Sequence, residues 1–213
     1  MKKVLTAVSV IFILIFISMI AHGETPKIIG IYKTVPLKTF NYDGKKVEIL
    51  EFFSFTCGQC YEFDKFVPVI MGNYPKKIQW TFIPLYWGKD SSKPAEAYFL
   101  AEEAGKGRQM KKALFEAHFI HKKNINDLTV IDEIGKKIGL RSDFSKKLRK
   151  GTKSKKAHEA LGLASEYGLE ETPTMIIAGN LKVDGHSLNH SMELLKDNIL
   201  LIINEIIVRK KIN

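Results

Sequence analysis

Two cysteines place the strongest constraint on this sequence, because they are the only ones in 213 residues and stand three positions apart. The segment from Glu51 to Cys60 reads EFFSFTCGQC, which predicts a buried strand, a short loop and the first turn of a helix. A thiolate at a helix N-terminus is stabilised by unpaired backbone N–H groups and by the positive end of the helix dipole. Cys57 and Cys60 are therefore predicted to form a reversible redox couple.

The N-terminus predicts an export signal over residues 1–23. Lys2 and Lys3 form a basic start, residues 4–20 are almost entirely apolar, and Ala21-His22-Gly23 supplies the small residues of a cleavage site. An uncleaved membrane anchor is the alternative, because the apolar stretch is nearly long enough to span a bilayer. In either case we predict that the folded part works outside the cytoplasm, in the periplasm.

The exported location bears on how the cysteine pair is interpreted. Small exported folds that depend on disulfides usually carry several of them. The roughly 190 residues after Gly23 can bury a sizeable core without such help. A disulfide between residues three apart also closes too small a loop to stabilise much. A local structural disulfide is the alternative, and a chemical role is the interpretation that we favour.

The sequence has a net charge of +10, and its basic excess is concentrated in one segment. The cluster consists of Lys146, Lys147, Arg149, Lys150, Lys153, Lys155 and Lys156. A nucleic-acid surface would interleave such residues with aromatic side chains, and none occur here. We therefore predict a solvated helix face and no nucleic-acid partner, with weak attraction to anionic membranes as the alternative.

Apolar spacing predicts an α/β fold with a block of helices inserted into it. Strands are predicted at 37–42, 47–53 and 78–85, after Pro173, and at 181–184, with a Gly179-Asn180 turn between the last two. Helices are predicted from Cys57 to about Gly72 and at 94–104, 109–121, 128–138, 142–148, 155–167 and 191–210. Five of these helices fall between the third strand and the fourth.

The sequence resembles the periplasmic DsbA-like disulfide oxidoreductases of the thioredoxin superfamily. The segment from Glu51 through the cysteines to Tyr61 is similar to the DsbA active-site segment, and Thr172-Pro173 before an apolar strand resembles the cis-proline loop of the superfamily. The resemblance implies a thioredoxin fold with a helical insertion domain. Residues 24–90 would form its N-terminal part with the CxxC motif, 91–168 the insertion, and 169–213 the C-terminal part with the cis-proline loop.

Cys57, Cys60 and Glu51 are the predicted catalytic residues. Cys57 stands at the helix start and should be the nucleophile, with a lowered pKa. Cys60 lies one turn further on, is more buried, and should resolve the mixed disulfide with the substrate. A buried thiol is hard to ionise, so Glu51 on the preceding strand is our candidate for moving its proton. The alternative places Glu51 as an outward-facing charge at a sheet edge.

Thr172 and Pro173 are the predicted substrate-binding residues. The resemblance implies that the bond between them is cis and faces the cysteine pair. The backbone of Thr172 would then be free to pair with an extended substrate segment. An ordinary trans proline that starts an edge strand is the alternative.

The residues between the cysteines depart from the family pattern. Strongly oxidising DsbA-like sites have Pro-His there, whereas this sequence has Gly58-Gln59, so we expect a milder oxidant. The predicted function is to introduce disulfides into exported proteins, with no cofactor beyond the Cys57–Cys60 disulfide and with reoxidation by a DsbB-like membrane partner. The alternative is a reductase or isomerase served by a DsbD-like reductant. We predict a monomer, because there is no room for a separate dimerisation domain before the first strands.

A metal-binding protein is the rival class. The CxxC motif supplies two ligands, and either His118 with His121 or His186 with His190 would supply two more. The sequence gives no reason for either histidine pair to converge on the cysteines, so no metal ligand is predicted.

Overall fold

The computed structural model describes residues 27–88 and 90–209. The predicted export signal, residues 1–23, lies outside these ranges. Within them, no helix has both the length and the apolar character needed to cross a membrane.

The strands of the described residues form one mixed sheet in the order β1-β5-β4-β2-β3. β2 and β3 are parallel, whereas β4 is antiparallel to both β2 and β5, and β5 is antiparallel to β1. The strands are β1 (Lys33–Thr34), β2 (Val47–Ser54), β3 (Ile78–Leu85), β4 (Thr174–Ile177) and β5 (Leu181–Asp184).

The helices follow the predicted order, except that two helices stand where one was predicted from Cys57 to about Gly72. They are α1 (Gly58–Asp64), α2 (Val67–Asn73), α3 (Lys93–Glu103), α4 (Gly107–Phe115), α5 (Leu128–Lys137), α6 (Asp143–Arg149), α7 (Ser154–Glu166) and α8 (Met192–Arg209). A π-helical turn, Glu116–Ile120, continues α4, and a short 3₁₀ turn, His186–Leu188, follows β5.

The fold is a thioredoxin fold with a helical insertion. α1 and α2 connect the parallel strands β2 and β3, and α8 packs against α1, α2 and β2. The insertion, α3 to α7, lies between β3 and β4 in the sequence and packs on β3 through α3 and α7. Because neighbouring side chains of a strand point to opposite faces, the complete burial of both Phe52 and Phe53 shows that both faces of β2 are covered where it leads into the cysteine pair.

The predicted strand at 37–42 is wrong. Leu37 has a positive φ of 61° and its side chain is fully exposed, so the chain cannot remain extended there. The segment is instead tied to the β4–β5 turn, because Val35 N–H donates to Asn180 O at 2.9 Å and Asn41 N–H donates to Ala178 O at 2.8 Å. The paired edge strand is β1, a few residues earlier.

The single helix predicted from Cys57 to about Gly72 is two helices. Pro68 has no N–H, so it cannot bond to the carbonyl of Asp64 and continue the helix. Proline is accepted within the first turn of a new helix, and α2 accordingly starts at Val67. The apolar spacing is helical on both sides of Pro68, and the prediction of one continuous helix is wrong.

The predicted turn between the last two strands is confirmed. β4 and β5 are joined by Ala178, Gly179 and Asn180. Gly179 has a φ of 85°, and a Cβ there would lie 2.6 Å from the carbonyl oxygen of Thr39. Only glycine fits this position, and the hairpin holds the loop before β4 next to β2.

Candidate active site

Cys57 caps the N-terminus of α1. Its backbone is extended (φ −86°, ψ 114°), and its Sγ accepts a hydrogen bond from the backbone N–H of Cys60 at 3.1 Å. This position normally carries a serine, threonine, aspartate or asparagine, whose oxygen satisfies a free N–H of the first turn. Here the sulfur takes that role, so the start of the helix directs a hydrogen-bond donor at Cys57.

The surroundings of Cys57 favour its thiolate. The hydrogen bond with the Cys60 thiol is the largest cause, and it outweighs the opposing effect of burial. The side chain of Thr172 and the backbone N–H groups of Cys60 and Gln59 contribute in the same direction as the Cys60 thiol, and the pKa of Cys57 falls from 9.0 to about 7. Because the thiolate is the nucleophilic form, Cys57 can attack at neutral pH.

Cys60 has the opposite character. Its side chain is 0% exposed, and burial raises the pKa of its thiol well above 9.0. The hydrogen bond with Cys57 and the charge of Cys57 act in the same direction as burial. The pair, present as two thiols, therefore combines one partly exposed acidic thiol with one buried thiol that ionises only with difficulty.

The cis-proline loop lies against Cys57. The Thr172–Pro173 peptide bond is cis, as the resemblance implied, and the Cys57 thiol donates to the carbonyl oxygen of Thr172 at 3.3 Å. The alternative of a trans proline at an edge strand is wrong, because β4 lies inside the sheet between β2 and β5. The structure thus brings Cys57, Cys60, Thr172 and Pro173 together at one end of β2 and β4.

Glu51 is buried within β2, and the alternative of an outward-facing charge is wrong. Its carboxylate is 0% exposed. Oε1 accepts a hydrogen bond from Lys111 Nζ at 2.6 Å, and Oε2 accepts one from Trp80 Nε1 at 2.7 Å. Both oxygens are therefore held by donors, which is the usual requirement for a buried carboxylate.

Lys111 is the site residue that the sequence did not reveal. It lies on α4, its side chain is 2% exposed, and its Nζ also contacts Asp64 Oδ1 at 2.9 Å. The ammonium group stands 4.4 Å from the ring centre of Phe53 and 4.2 Å from that of Phe82, distances typical of cation–π contacts. A buried Glu51 requires a cation, but the sequence offers 33 lysines and arginines and does not say which one.

An aromatic surface and a groove flank the cysteine pair. Tyr61 stacks on Phe119 of the insertion at 4.9 Å, and Phe119 lies 4.0 Å from where a Cβ on Gly58 would stand. A groove of about 520 Å³ opens beside them. It is lined by Thr56, Asp90, His118, Phe119 and residues 122–126. The insertion therefore forms one wall of the surface next to Cys57.

The structure does not join the cysteines to either histidine pair. Among residues 27–88 and 90–209, the side chains spaced to share a metal ion are Glu171, His186 and His190, with no cysteine among them. The rival metal site built on the CxxC motif therefore lacks its histidine ligands.

The sequence profile of the DsbA-like thioredoxin domain matches residues 48–199. This range includes β2 except its first residue, both cysteines, the whole insertion and the cis-proline loop. The chain belongs to the DsbA-like thioredoxin domain family. It is accordingly a DsbA-like thiol:disulfide oxidoreductase.

Individual DsbA proteins are similar over most of their length. The thiol:disulfide interchange protein DsbA of Pseudomonas aeruginosa is 25% identical over 167 residues, which cover 78% of this chain and 79% of the relative. The crystal structure of DsbA from Xylella fastidiosa has a TM-score of 0.68 at 23% identity and covers 85% of this chain and 96% of its own. That of Pseudomonas aeruginosa DsbA has a TM-score of 0.69 at 17% identity, with 86% and 93% covered. The structural likeness establishes the fold.

Alkylation of Cys57 should follow its thiolate fraction. In the folded, reduced DsbA-like chain we expect the rate with iodoacetamide to rise with pH around a midpoint of about 7, and in the unfolded chain around the ordinary cysteine value of about 8.5. Because the folded pKa is the lower one, the thiolate stabilises the folded reduced form fully above pH 9, and this contribution is lost as the pH falls through 7.

A matched variant separates the causes of this shift. Cys60→Ala removes the largest one, so the midpoint for Cys57 should move upward. A wild-type midpoint near 9 would contradict the described hydrogen bonds at Cys57.

Proposed function

We propose that this chain introduces disulfides into exported proteins by thiol–disulfide exchange at Cys57 and Cys60. The observation that carries the proposal is the asymmetry of the pair. Cys57 is partly exposed with a pKa of about 7, whereas Cys60 is buried beside it. An exchange enzyme needs one thiol that substrates can reach and a second that resolves the intermediate.

The reaction proceeds in two exchanges. A substrate thiolate attacks Sγ of Cys57 in the oxidised enzyme, a new S–S bond forms between substrate and Cys57, and Cys60 leaves and takes up a proton. A second substrate thiolate then attacks the substrate sulfur of this mixed disulfide, and Cys57 leaves as a thiolate. The substrate gives up two electrons and gains a disulfide, and the enzyme pair receives those electrons as two reduced sulfurs.

The low pKa of Cys57 favours this direction. A sulfur of lower pKa leaves a disulfide faster than one of higher pKa, and an ordinary cysteine has a pKa of about 8.5. Cys57 is therefore a better leaving group than the substrate sulfur. The Thr172 backbone beside it offers an edge on which an extended substrate segment would add as a strand.

Glu51 is proposed to move the proton of Cys60. It lies on β2, three residues before the end of the strand that leads to Cys57, and it is buried. Lys111 and Trp80 fix the carboxylate in place. Cys60 has an unfavourable thiolate because burial raises its pKa, so a positioned proton carrier would speed both its ionisation and its departure.

A reductase or isomerase is the second candidate, because the pKa of Cys57, although below that of an ordinary cysteine, is not as low as that in DsbA. The pKa of Cys57 is about 7. The corresponding cysteine has a pKa of about 7 in thioredoxin and about 3.5 in DsbA, so Cys57 is closer to thioredoxin. Gln59 brings no positive charge to the thiolate. We therefore expect a milder oxidant than DsbA.

The cellular setting follows from the predicted export signal. We propose that the protein works in the periplasm as a monomer and that a DsbB-like membrane protein reoxidises it. In the second candidate function a DsbD-like donor would keep it reduced. Its substrates would be unfolded or folding exported proteins that contain cysteines.

Disulfide transfer to a peptide tests the proposed function. Oxidised protein is mixed with an excess of a reduced peptide that contains two cysteines, and both products are followed by mass spectrometry. We expect one peptide disulfide for each enzyme disulfide lost. If no disulfide is transferred and the reduced protein instead rapidly reduces the oxidised peptide, the oxidase assignment is wrong and the protein is a reductase.

Glu51→Gln should slow this transfer by about 100-fold, the lower end of the usual contribution of general acid–base catalysis. Glutamine keeps the size and a hydrogen-bond acceptor for Trp80, and Lys111 keeps its contact with Asp64. Asp64→Asn is the matched control, because it removes the other carboxylate of Lys111, and we expect less than about a 2-fold change. Equal slowing in both variants would show that the charge balance at Lys111 matters and not proton transfer by Glu51.

A further inference from the structure

Three metal-ligating side chains converge beside the cis-proline loop. Glu171, His186 and His190 bring their ligand atoms within 4.8 Å of one another. His190 Nδ1 lies 4.0 Å from Glu171 Oε2, and the ring centres of the two histidines are 5.8 Å apart. Neither the disulfide chemistry nor the packing of the core uses these side chains.

The β4–β5 hairpin places these residues together. The two strands are antiparallel, so Glu171 before β4 and the turn after β5 lie at the same end of the sheet. Glu171 Oε1 accepts a hydrogen bond from the backbone N–H of His186 at 2.8 Å. The backbone N–H of His190 donates to the carbonyl oxygen of Gly185, also at 2.8 Å. The carboxylate and the second histidine are thus both positioned by backbone contacts.

Gly185 leaves space beside His190 Nδ1 and the carboxylate of Glu171. Its backbone (φ −72°, ψ −27°) is one that any L-residue adopts, so the conformation does not require glycine. A Cβ at this position would lie 3.3 Å from His190 Nδ1 and 3.7 Å from Glu171 Oε1. A side chain here would therefore crowd His190 Nδ1, the atom that lies 4.0 Å from Glu171 Oε2.

We propose that Glu171, His186 and His190 bind one late first-row divalent metal ion, of the class to which Zn²⁺ belongs. Two imidazole nitrogens and one carboxylate oxygen are the protein ligands of known three-ligand zinc sites, in which water takes the fourth position. Zinc bonds of about 2.1 Å hold tetrahedral ligand atoms about 3.4 Å apart. His190 Nδ1 lies 4.0 Å from Glu171 Oε2, and all the ligand atoms lie within 4.8 Å of one another. Small rotations of the two exposed imidazoles bring them to the zinc spacing.

The metal site is independent of the proposed disulfide exchange, because neither cysteine is a ligand. It adjoins the exchange site in the chain, since Glu171 directly precedes Thr172, whose carbonyl oxygen contacts Cys57. A bound ion would tie the start of the cis-proline loop to the turn after β5.

Calorimetric titration of the oxidised protein with ZnCl₂ tests this proposal. Untagged protein is used with its disulfide closed, so that no thiol competes for the ion. We expect one Zn²⁺ per chain. Glu171→Gln, His186→Ala and His190→Ala should each weaken binding by at least about 10-fold, a loss that even outer partners of metal ligands can cause. His158→Ala removes an exposed histidine of α7 and should leave the affinity unchanged.

Gly185→Ala provides a test that removes no ligand. We expect it to weaken Zn²⁺ binding several-fold while the far-ultraviolet circular dichroism stays that of the wild type, and an unchanged affinity would overturn the role of the glycine. The proposed site would be overturned if the wild-type protein showed no saturable Zn²⁺ binding. It would also be overturned if the double variant His186→Ala, His190→Ala still bound one Zn²⁺ with wild-type affinity.

Discussion

Cys57→Ser should lower the rate of disulfide transfer to a peptide by roughly 1,000-fold or more, because a hydroxyl without an activating base does not replace a thiolate as nucleophile or leaving group. Cys57 is the partly exposed thiol, it lies against the cis-proline loop, and its pKa is about 7. Cys60, with its side chain buried, cannot take over the attack. The measurement is the rate of peptide disulfide formation in a glutathione buffer at pH 7.

Cys60→Ala is the matched variant, because it keeps Cys57 and removes only the resolving thiol. We expect Cys57 of this variant to attack the disulfide-linked dimer of a peptide that contains one cysteine. One peptide leaves as a thiolate, and the other stays on Cys57 as a mixed disulfide that persists and is seen as a mass increase on the intact protein. If Cys57→Ser instead accumulates the adduct, the substrate reaches Cys60 and the assignment of the two thiols is reversed.

Lys111→Met should destabilise the protein by about 3–5 kcal/mol, the cost of leaving a buried charge without its partner. Glu51 is 0% exposed and Lys111 supplies the cation at 2.6 Å, so the variant leaves a carboxylate in the core with only Trp80 as a hydrogen-bond donor. Methionine fills a similar volume, which keeps loss of packing small. Since whole domains are stable by only about 5–15 kcal/mol, urea denaturation would show a large shift of the midpoint.

Two further variants make this result specific. Lys112→Met changes the neighbouring lysine, which is 74% exposed, and should alter the unfolding free energy by about 0.5 kcal/mol or less. The double variant Glu51→Gln, Lys111→Met should recover part of the loss, because no unpaired charge then remains buried. A loss under 1 kcal/mol for Lys111→Met, or strict additivity in the double variant, would contradict the described ion pair.

The parts of the fold and of the site that depend on neighbouring residues could be predicted from the sequence, because each signal lies within a few residues of the feature it determines. The apolar run of β2 and the glycine at 179 each determine a conformation within a few residues, and β2, the start of α1 and the last hairpin occur where they were expected. Pro68 is equally local, and the break that it causes between α1 and α2 was available to the same reasoning.

The features that the sequence did not predict depend on contacts between segments far apart in the chain. Lys111 is 60 residues from Glu51, and its position on α4 next to the apolar Met110 and Leu114 gave no sign that its charge is buried. Leu37 leaves the extended conformation because its neighbours bond to the β4–β5 turn. His186 and His190 were visible as a pair, but only the register of the β4–β5 hairpin shows that their partner is Glu171 and not the cysteines.

Equilibration with reduced and oxidised glutathione tests the redox assignment of Cys57 and Cys60 most directly. The pKa of Cys57 is about 7, against about 3.5 in DsbA. At about 1.4 kcal/mol per pKa unit and 30 mV per 1.4 kcal/mol, this difference lowers the potential by about 100 mV from the DsbA value of about −120 mV. We therefore predict a reduction potential of roughly −220 mV, whereas a value at or below the thioredoxin value of about −270 mV would contradict an oxidase.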